Sequence, residues 1–271
     1  MANGLSFAHQ YGCGVDVPGF SRQSPAQLPI IAVASGKGGV GKSSVAVAIG
    51  RELARSGRKA GLVDADIAGP DVPRMLGLRR DVPTKSVTLA RWTRGGRGGS
   101  GLEAMEVDGL KVASAGFLTA GNQGLALGSG LADLMLGRLI KETNWGDVEA
   151  LVVDLPPGIS FTQQGVLSGA GRVATILVVT PAEVSHLDTG RALGALREVR
   201  TQVLGGVENM AYFECPCCGE KTELHAPAPH ERTIWASGVE RLARLPFRPD
   251  AVIDAADLAP VLEAVATHIA A

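Results

Sequence analysis

The chain has little excess charge of either sign. It carries 26 Lys and Arg residues against 27 Asp and Glu, which gives a formal net charge of −1 at pH 7. Such a balance argues against a general electrostatic attraction to nucleic acids or to membrane surfaces. We therefore expect neither nucleic acid nor membrane as a partner.

Long hydrophobic runs are also missing. No stretch approaches the roughly 18 uninterrupted apolar residues of a membrane-spanning helix, and residues 1–23 contain no apolar core of signal-peptide length. We expect a cytoplasmic protein in which residues 1–28 form an irregular leader and residues 29–271 form one domain. Cys13 stands alone in this leader, which is more typical of an inert thiol than of a metal ligand.

Cysteine is scarce, with four residues in 271, but three of them lie close together at Cys215, Cys217 and Cys218. In a cytosolic chain such clustering indicates metal or redox chemistry rather than structural disulfides. Cys215-x-x-Cys218 places two thiolates on one tight turn, which is half of a metal or cluster site. The other ligands would come from Cys217, from His225 or His230, or from a second copy of the chain. A redox dithiol is the alternative, although the motif does not open a helix as in thioredoxin-like proteins.

What the chain does contain is a glycine-rich segment between an apolar strand and an amphipathic helix. Residues 29–34 predict the strand, and helical spacing of apolar residues predicts the helix over 42–56. The segment between them matches G-x-x-x-x-G-K-[ST], whose glycines let the backbone approach an anion closely. Its candidate nucleotide-binding residues are Gly36, Lys37, Gly38, Gly39, Val40, Gly41, Lys42, Ser43 and Ser44. The pattern predicts a phosphate loop, in which backbone N–H groups and the helix dipole attract the anion.

Three side chains of this loop have predicted chemical roles. Lys42 would reach the β- and γ-phosphates of a nucleotide, and the Ser43 hydroxyl would bind Mg²⁺. Lys37 is a second lysine inside the loop. This extra positive charge indicates that the bound ligand carries more negative charge than Lys42 and Mg²⁺ can neutralise alone.

Two further apolar strands end in carboxylates, one over residues 59–66 and one over 150–154. Parallel strands present their carboxyl ends at one edge of a sheet, so these acids would lie beside a bound ligand. Asp66 would orient the attacking water or hold an Mg²⁺-bound water, whereas Asp64 fits a strand-end cap better. Asp154 occupies the position of a Walker B aspartate, which supports Mg²⁺.

The residues after Asp154 predict a stiff turn that could respond to the nucleotide. Pro157 and the proline before it restrict the turn, and the Gly158 N–H could donate to a terminal phosphate. Such a turn could distinguish ATP from ADP. Farther along, a strand over 203–209 is predicted to end at Asn209, whose amide could pair with the adenine edge. A plain turn residue is the alternative at that position.

The remaining pattern indicates a hairpin over 103–115 and helices over 131–143, 187–203 and 257–270. The Arg- and Gly-rich residues 79–101 have little aromatic interleaving, which favours a solvated loop over an RNA-binding segment.

Five segments in this order resemble the Mrp/ApbC family of iron–sulfur cluster carrier P-loop ATPases, which belongs to the deviant Walker A superfamily with ParA and MinD. The resemblance runs from about residue 29 to the C-terminus. The segments are 36–43, Asp64-Ala65-Asp66-Ile67, Asp154-Leu155-Pro156-Pro157-Gly158, Thr180-Pro181-Ala182-Glu183-Val184, and Glu208-Asn209-Met210 followed by Cys215-Pro216-x-Cys218.

The resemblance implies an α/β fold with a single doubly wound, mainly parallel sheet of about seven to eight strands flanked by helices. It implies a homodimer that binds ATP and Mg²⁺, in which Lys37 reaches the partner's nucleotide, Lys42 holds phosphate and Asp66 is the catalytic carboxylate. Cys215 and Cys218 of two subunits would bridge one 4Fe–4S cluster, which would pass to apo iron–sulfur proteins.

Two departures from the family pattern bear on hydrolysis. The family has Trp-Arg-Gly-Pro where this chain has 127–130, and Thr-Gly-Asp where this chain has Ile159-Ser160. We therefore expect slow or differently gated hydrolysis. The alternative function is a ParA/MinD-like regulatory switch whose cysteines hold a structural zinc ion.

Overall fold

The computed structural model describes residues 28–67, 69–78, 102–117, 129–158, 161–250 and 252–271. Four predicted features lie wholly or partly outside the described residues: residues 1–27 of the leader, the Arg/Gly-rich loop over 79–101, the first two residues of segment 127–130, and Ile159-Ser160. The domain boundary at residue 28 therefore stays a prediction.

Eleven strands and six helices occur among the described residues. The strands are β1 (Pro29–Ala34), β2 (Ala60–Asp64), β3 (Leu102–Glu103), β4 (Met105–Val107), β5 (Leu110–Ser114), β6 (Thr143–Asn144), β7 (Ala150–Asp154), β8 (Arg172–Val179), β9 (Gln202–Glu214), β10 (Lys221–Glu223) and β11 (Arg241–Pro246). The helices are α1 (Lys42–Arg55), α2 (Val72–Met75), α3 (Ser129–Lys141), α4 (Phe161–Ser168), α5 (Glu183–Glu198) and α6 (Ala259–Ala270).

Nine of the described strands form one sheet in the order β10-β9-β8-β1-β7-β2-β5-β4, with β11 also paired to β9. All pairings within it are parallel except those of β4 and β10, which are antiparallel. The predicted doubly wound, mainly parallel sheet is confirmed. It has nine strands rather than seven or eight because hairpin partners extend it at both ends.

Helices cover both faces of this sheet. Successive side chains of a strand point to opposite faces, and those of β1 divide between two cores. Ile30 and Ala32 join the core that contains α3, α4 and α5, while Ile31 and Val33 join the core that contains α1 and α6. Burial on both faces explains why the central strands read as continuous apolar runs.

Two predicted element boundaries were wrong. The helix predicted over 187–203 is α5, which begins four residues earlier, at Glu183, and ends five residues earlier, at Glu198. Arg200 follows the helix in the left-handed region at φ 56°. Three of the four residues of the first turn of α5 are Glu183, Ser185 and His186, so the apolar spacing marked the start of the helix too late. The strand predicted to end at Asn209 continues as β9 to Glu214. Within the described residues, no helix is long and apolar enough to cross a membrane.

Candidate functional site

The predicted phosphate loop connects β1 to α1 at the carboxyl edge of the sheet. Gly39 and Gly41 adopt φ values of 79° and 82°, which glycine reaches without the strain that a side chain causes. The Ser35 hydroxyl donates to the Lys37 carbonyl at 2.9 Å and closes the loop on itself. Lys37 is exposed. Its side chain is therefore accessible to solvent.

Two other elements contact the loop so closely that they leave no room for a side chain. The Gly36 N–H donates to Thr189 Oγ1 of α5 at 3.1 Å, and a Cβ on Gly36 would collide with the backbone of Asp188 and Thr189. The Asn209 amide of β9 donates to the Val40 carbonyl at 2.9 Å. A Cβ on Gly41 would collide with that amide nitrogen. The sequence alone did not reveal the contact between α5 and the loop.

A buried ion pair lies beneath the loop. Strand register places Asp154 of β7 beside Val33 of β1 and beside Asp64 of β2. The Lys42 ammonium lies 2.5 Å from Asp154 Oδ1, with both side chains at least nine-tenths buried. Burial raises the pKa of Asp154, while the Lys42 charge and the Ser43 hydroxyl oppose that rise. Lys42, Ser43 and Asp154 thus converge at the start of α1, as a Mg²⁺-nucleotide site requires.

The second buried carboxylate caps the strand that carries it. Asp64 Oδ2 accepts a hydrogen bond from the Ser114 hydroxyl at 2.9 Å, and Oδ1 accepts one from the Asp66 N–H at 3.3 Å. Burial raises the pKa of Asp64 well above its ordinary value, and the nearby Asp154 charge adds to the rise. Asp64 therefore holds the turn after β2, as the cap interpretation requires.

The Asp66 carboxylate belongs to that turn. Its Oδ1 accepts a hydrogen bond from the Gly69 N–H at 3.2 Å. The side chain is partly exposed at the same edge of the sheet as Lys42. It is therefore accessible to solvent, while Asp64 and Asp154 are not.

The turn after Asp154 is attached to the phosphate loop. Gly158 adopts φ 78°, and its N–H donates to the Ser35 carbonyl at 3.0 Å. Pro157 faces the loop, with its Cγ 3.9 Å from where a Gly38 Cβ would lie. Because the Gly158 N–H already has an acceptor, donating it to a terminal phosphate requires this turn to move.

A bulge in β9 directs Asn209 toward the phosphate loop. Two residues of β11, Arg244 and Pro246, pair with Glu208 and Tyr212, so β9 has two extra residues between these pairs. Met210 lies there with φ 53°, a left-handed conformation that is uncommon for a residue with a side chain. Such bulges re-aim side chains near functional sites. This bulge explains how Asn209 reaches Val40 from the interior of a strand.

The thiol loop is the tip of the β9–β10 hairpin. The Cys215 N–H donates to Glu220 O at 2.9 Å, and the Gly219 N–H donates to Cys215 O at 2.8 Å. All three thiols are free, with Cys215 half-buried and Cys217 and Cys218 exposed. Backbone N–H groups of Cys217 and Cys218 lower the pKa of the Cys215 thiol. The hairpin therefore favours the thiolate form of Cys215, which is the reactive form of a cysteine.

One chain does not complete this site within the part that the structure describes. No group of three or more His, Cys, Asp or Glu residues there could hold a metal ion. His225 and His230 are exposed and do not join the cysteines in such a group. The interpretation that they complete a zinc site within one chain is therefore wrong for the described residues.

Comparisons with known proteins agree with this geometry. The family described as ParA, NUBPL iron-transfer P-loop NTPase, matches residues 28–270. The chain is 35% identical over 235 residues to the iron-sulfur cluster carrier protein of Aquifex aeolicus, covering 86% of this chain and 62% of that protein. It is 34% identical to the protein of that name from Pseudomonas fragi, covering 83% and 77%.

Solved structures show the same fold. A nucleotide-binding protein from Archaeoglobus fulgidus in complex with ADP has a TM-score of 0.64 and 31% identity, covering 87% of each chain. The cell division ATPase MinD of Pyrococcus furiosus has a TM-score of 0.62 at 20% identity, covering 88% of this chain and 98% of that one. The likeness to MinD shows the fold alone. From the site geometry and the match over residues 28–270, the chain belongs to the ParA/NUBPL iron-transfer family of P-loop NTPases.

Proposed function

We propose that the protein is an ATP-dependent iron–sulfur cluster carrier. Two chains would bind one 4Fe–4S cluster between their Cys215 and Cys218 thiolates and pass it to apo iron–sulfur proteins. Slow ATP hydrolysis would change the arrangement of the two chains. Relatives named iron-sulfur cluster carrier proteins support this role, although the matched region spans only 62% of the Aquifex aeolicus protein.

One observation carries the proposal: a single strand connects the nucleotide site to the thiol loop. Asn209 of β9 contacts the phosphate loop through Val40, and Cys215 directly follows the same strand. The two positions are six residues apart, which is at most about 20 Å along the strand, since the bulge at Met210 shortens it. A change at the phosphate loop can therefore reach the thiols through one hydrogen-bonded element.

The ligand count supports a second chain as partner. A 4Fe–4S cluster takes four thiolate ligands, whereas the described part of one chain gathers fewer than three possible metal ligands at any point. Two exposed hairpin tips would supply two thiolates each. Because the thiolates must be deprotonated, the lowered pKa of Cys215 favours binding.

At the nucleotide site we assign the chemistry as follows. Lys42 would exchange Asp154 for phosphate oxygens, and Ser43 with Asp154 would hold Mg²⁺, which neutralises phosphate charge. Asp66 would orient the attacking water. The exposed Lys37 would reach the nucleotide of the partner chain.

The test is metal and sulfide analysis of anaerobically reconstituted protein, together with its mass in solution. We expect brown protein with about four iron and four sulfide ions per two chains, the composition of one 4Fe–4S cluster. Cys215→Ala and Cys218→Ala should each abolish cluster binding, while Cys217→Ala, the matched control, should retain it. Colourless protein that retains zinc, or full cluster binding by the Cys215→Ala, Cys218→Ala double variant, would contradict the proposal.

A further inference from the structure

A pocket of about 220 Å³ opens beside the phosphate loop. One wall consists of Gly36 and Gly158, which come from the phosphate loop and from the turn after the Walker B strand. The other wall belongs to α5 and consists of Asp188, Arg191 and Ala192. The charged side chains of this second wall have no part in the chemistry assigned above.

The distance between the two walls is fixed by close packing. The Gly36 N–H bonds to Thr189 Oγ1, and no Cβ fits between Gly36 and the backbone of Asp188 and Thr189. Arg191 lies two residues after Thr189 on the same helix. Its backbone is therefore held at a set position relative to the loop that would bind phosphate.

The Arg191 side chain can exchange partners easily. Its Nη1 lies 2.7 Å from Asp188 Oδ1, in an i,i+3 pair on the helix surface, and 82% of the Arg191 side chain is exposed. Exposed pairs of this kind contribute little to stability, because water competes for both charges. Lys42 differs, since it is buried against Asp154. Arg191 is thus a weakly engaged cation on the wall that faces two glycines of the nucleotide site.

We propose that Arg191 contacts the terminal phosphate of ATP bound to its own chain, and so distinguishes a triphosphate from a diphosphate. The proposal rests on the proposed function, since it assumes that the loop binds ATP. Guanidinium presents paired N–H donors that match phosphate oxygens, and such charge-assisted bonds are stronger than neutral ones. ADP has no terminal group to receive them. Asp188 holds Arg191 until the phosphate arrives.

The test compares the affinities of Mg²⁺-ADP and of a Mg²⁺-bound non-hydrolysable ATP analogue by calorimetry on the full chain. Arg191→Gln should weaken binding of the analogue by about tenfold, the usual effect of losing one hydrogen bond to a charged group. Binding of ADP should change by less than about twofold, because ADP does not reach Arg191. Arg191→Lys should restore part of the loss.

Two further variants make the result specific. Arg197→Gln is the matched control, because Arg197 lies on the same helix but donates to the Ser237 carbonyl away from the pocket. It should leave both affinities unchanged. Asp188→Asn should keep or increase the preference for the analogue, since it frees Arg191.

Two outcomes would overturn the role of Arg191, and a third would overturn the proposed function. If Arg191→Gln keeps the wild-type ratio of the two affinities, Arg191 does not contact the terminal phosphate. If Asp188→Asn lowers the ratio as much as Arg191→Gln does, the ion pair is structural and the inference fails. If the wild-type protein binds neither nucleotide, the proposed function itself fails.

Discussion

The buried pair of Lys42 and Asp154 makes a prediction about stability as well as nucleotide binding. Lys42→Met keeps an apolar stem of similar length and removes only the charge. It leaves the Asp154 carboxylate, which is 1% exposed, without its cation. Removing one partner of a buried ion pair costs about 3–5 kcal/mol of unfolding free energy. At roughly 2–4 °C per kcal/mol for a chain of this size, Tm should fall by roughly 6–20 °C.

The loss should depend on pH, because Asp154 can escape by binding a proton. Burial already raises its pKa, and removal of Lys42 takes away the largest opposing influence. An acid whose pKa is higher in the folded than in the unfolded state loses stability as pH rises between these two values. The loss of unfolding free energy caused by Lys42→Met should therefore be larger at pH 8 than at pH 5. Each unit by which the pKa of Asp154 rises on folding adds about 1.4 kcal/mol to this difference.

The assay is urea unfolding of nucleotide-free protein at both pH values. A second variant, Lys42→Met with Asp154→Asn, removes both charges and should recover most of the lost stability. Neither variant should bind nucleotide, which separates the stability effect from the binding effect. Equal midpoints for Lys42→Met and wild type at both pH values would refute the reasoning, as would a double variant no more stable than the single one.

Two other substitutions test the environment of the loop. Asp64→Asn removes a carboxyl whose pKa is raised by burial and by Asp154. The stability of this variant relative to wild type, measured by urea unfolding, should therefore increase as pH rises from 5 to 8. A difference that does not change with pH would contradict this. Gly36→Ala forces a Cβ into the backbone of α5. It should cost about 1–3 kcal/mol and weaken nucleotide binding, whereas Gly38→Ala, with Pro157 Cγ at 3.9 Å as nearest neighbour, should cost less in the same assays. Equal losses for the two glycines would show that contact with α5 is unimportant.

Much of the fold could be predicted because the central strands are buried on both faces. β1, β7 and β8 appear as apolar runs, and the hairpin at Asp108-Gly109 has a typical turn sequence. β11 could not be found in this way. It places Arg241 and Arg244 against the buried Glu208 of β9, so its polar residues are satisfied by a distant strand.

In the candidate site, too, the local motifs could be predicted and the features that depend on distant residues could not. The loop of residues 36–44 and the Cys215-x-x-Cys218 turn are local, since each needs only a few consecutive residues. The bulge at Met210 was missed, because nothing in the local pattern marks it. The wall formed by Asp188 and Arg191 was missed for the same reason.

The sequence by itself determined which residue types stand in each loop. Those types indicate phosphate binding at the glycine-rich loop and thiolate chemistry at the cysteine turn. Only the tertiary structure decided which residues meet: Lys42 with Asp154, 112 positions away, Gly36 with Thr189, 153 away, and Val40 with Asn209, 169 away. The physical reason is that strand order in a parallel sheet sets these contacts. That order depends on how all strands bury their two faces together, and no short segment encodes it.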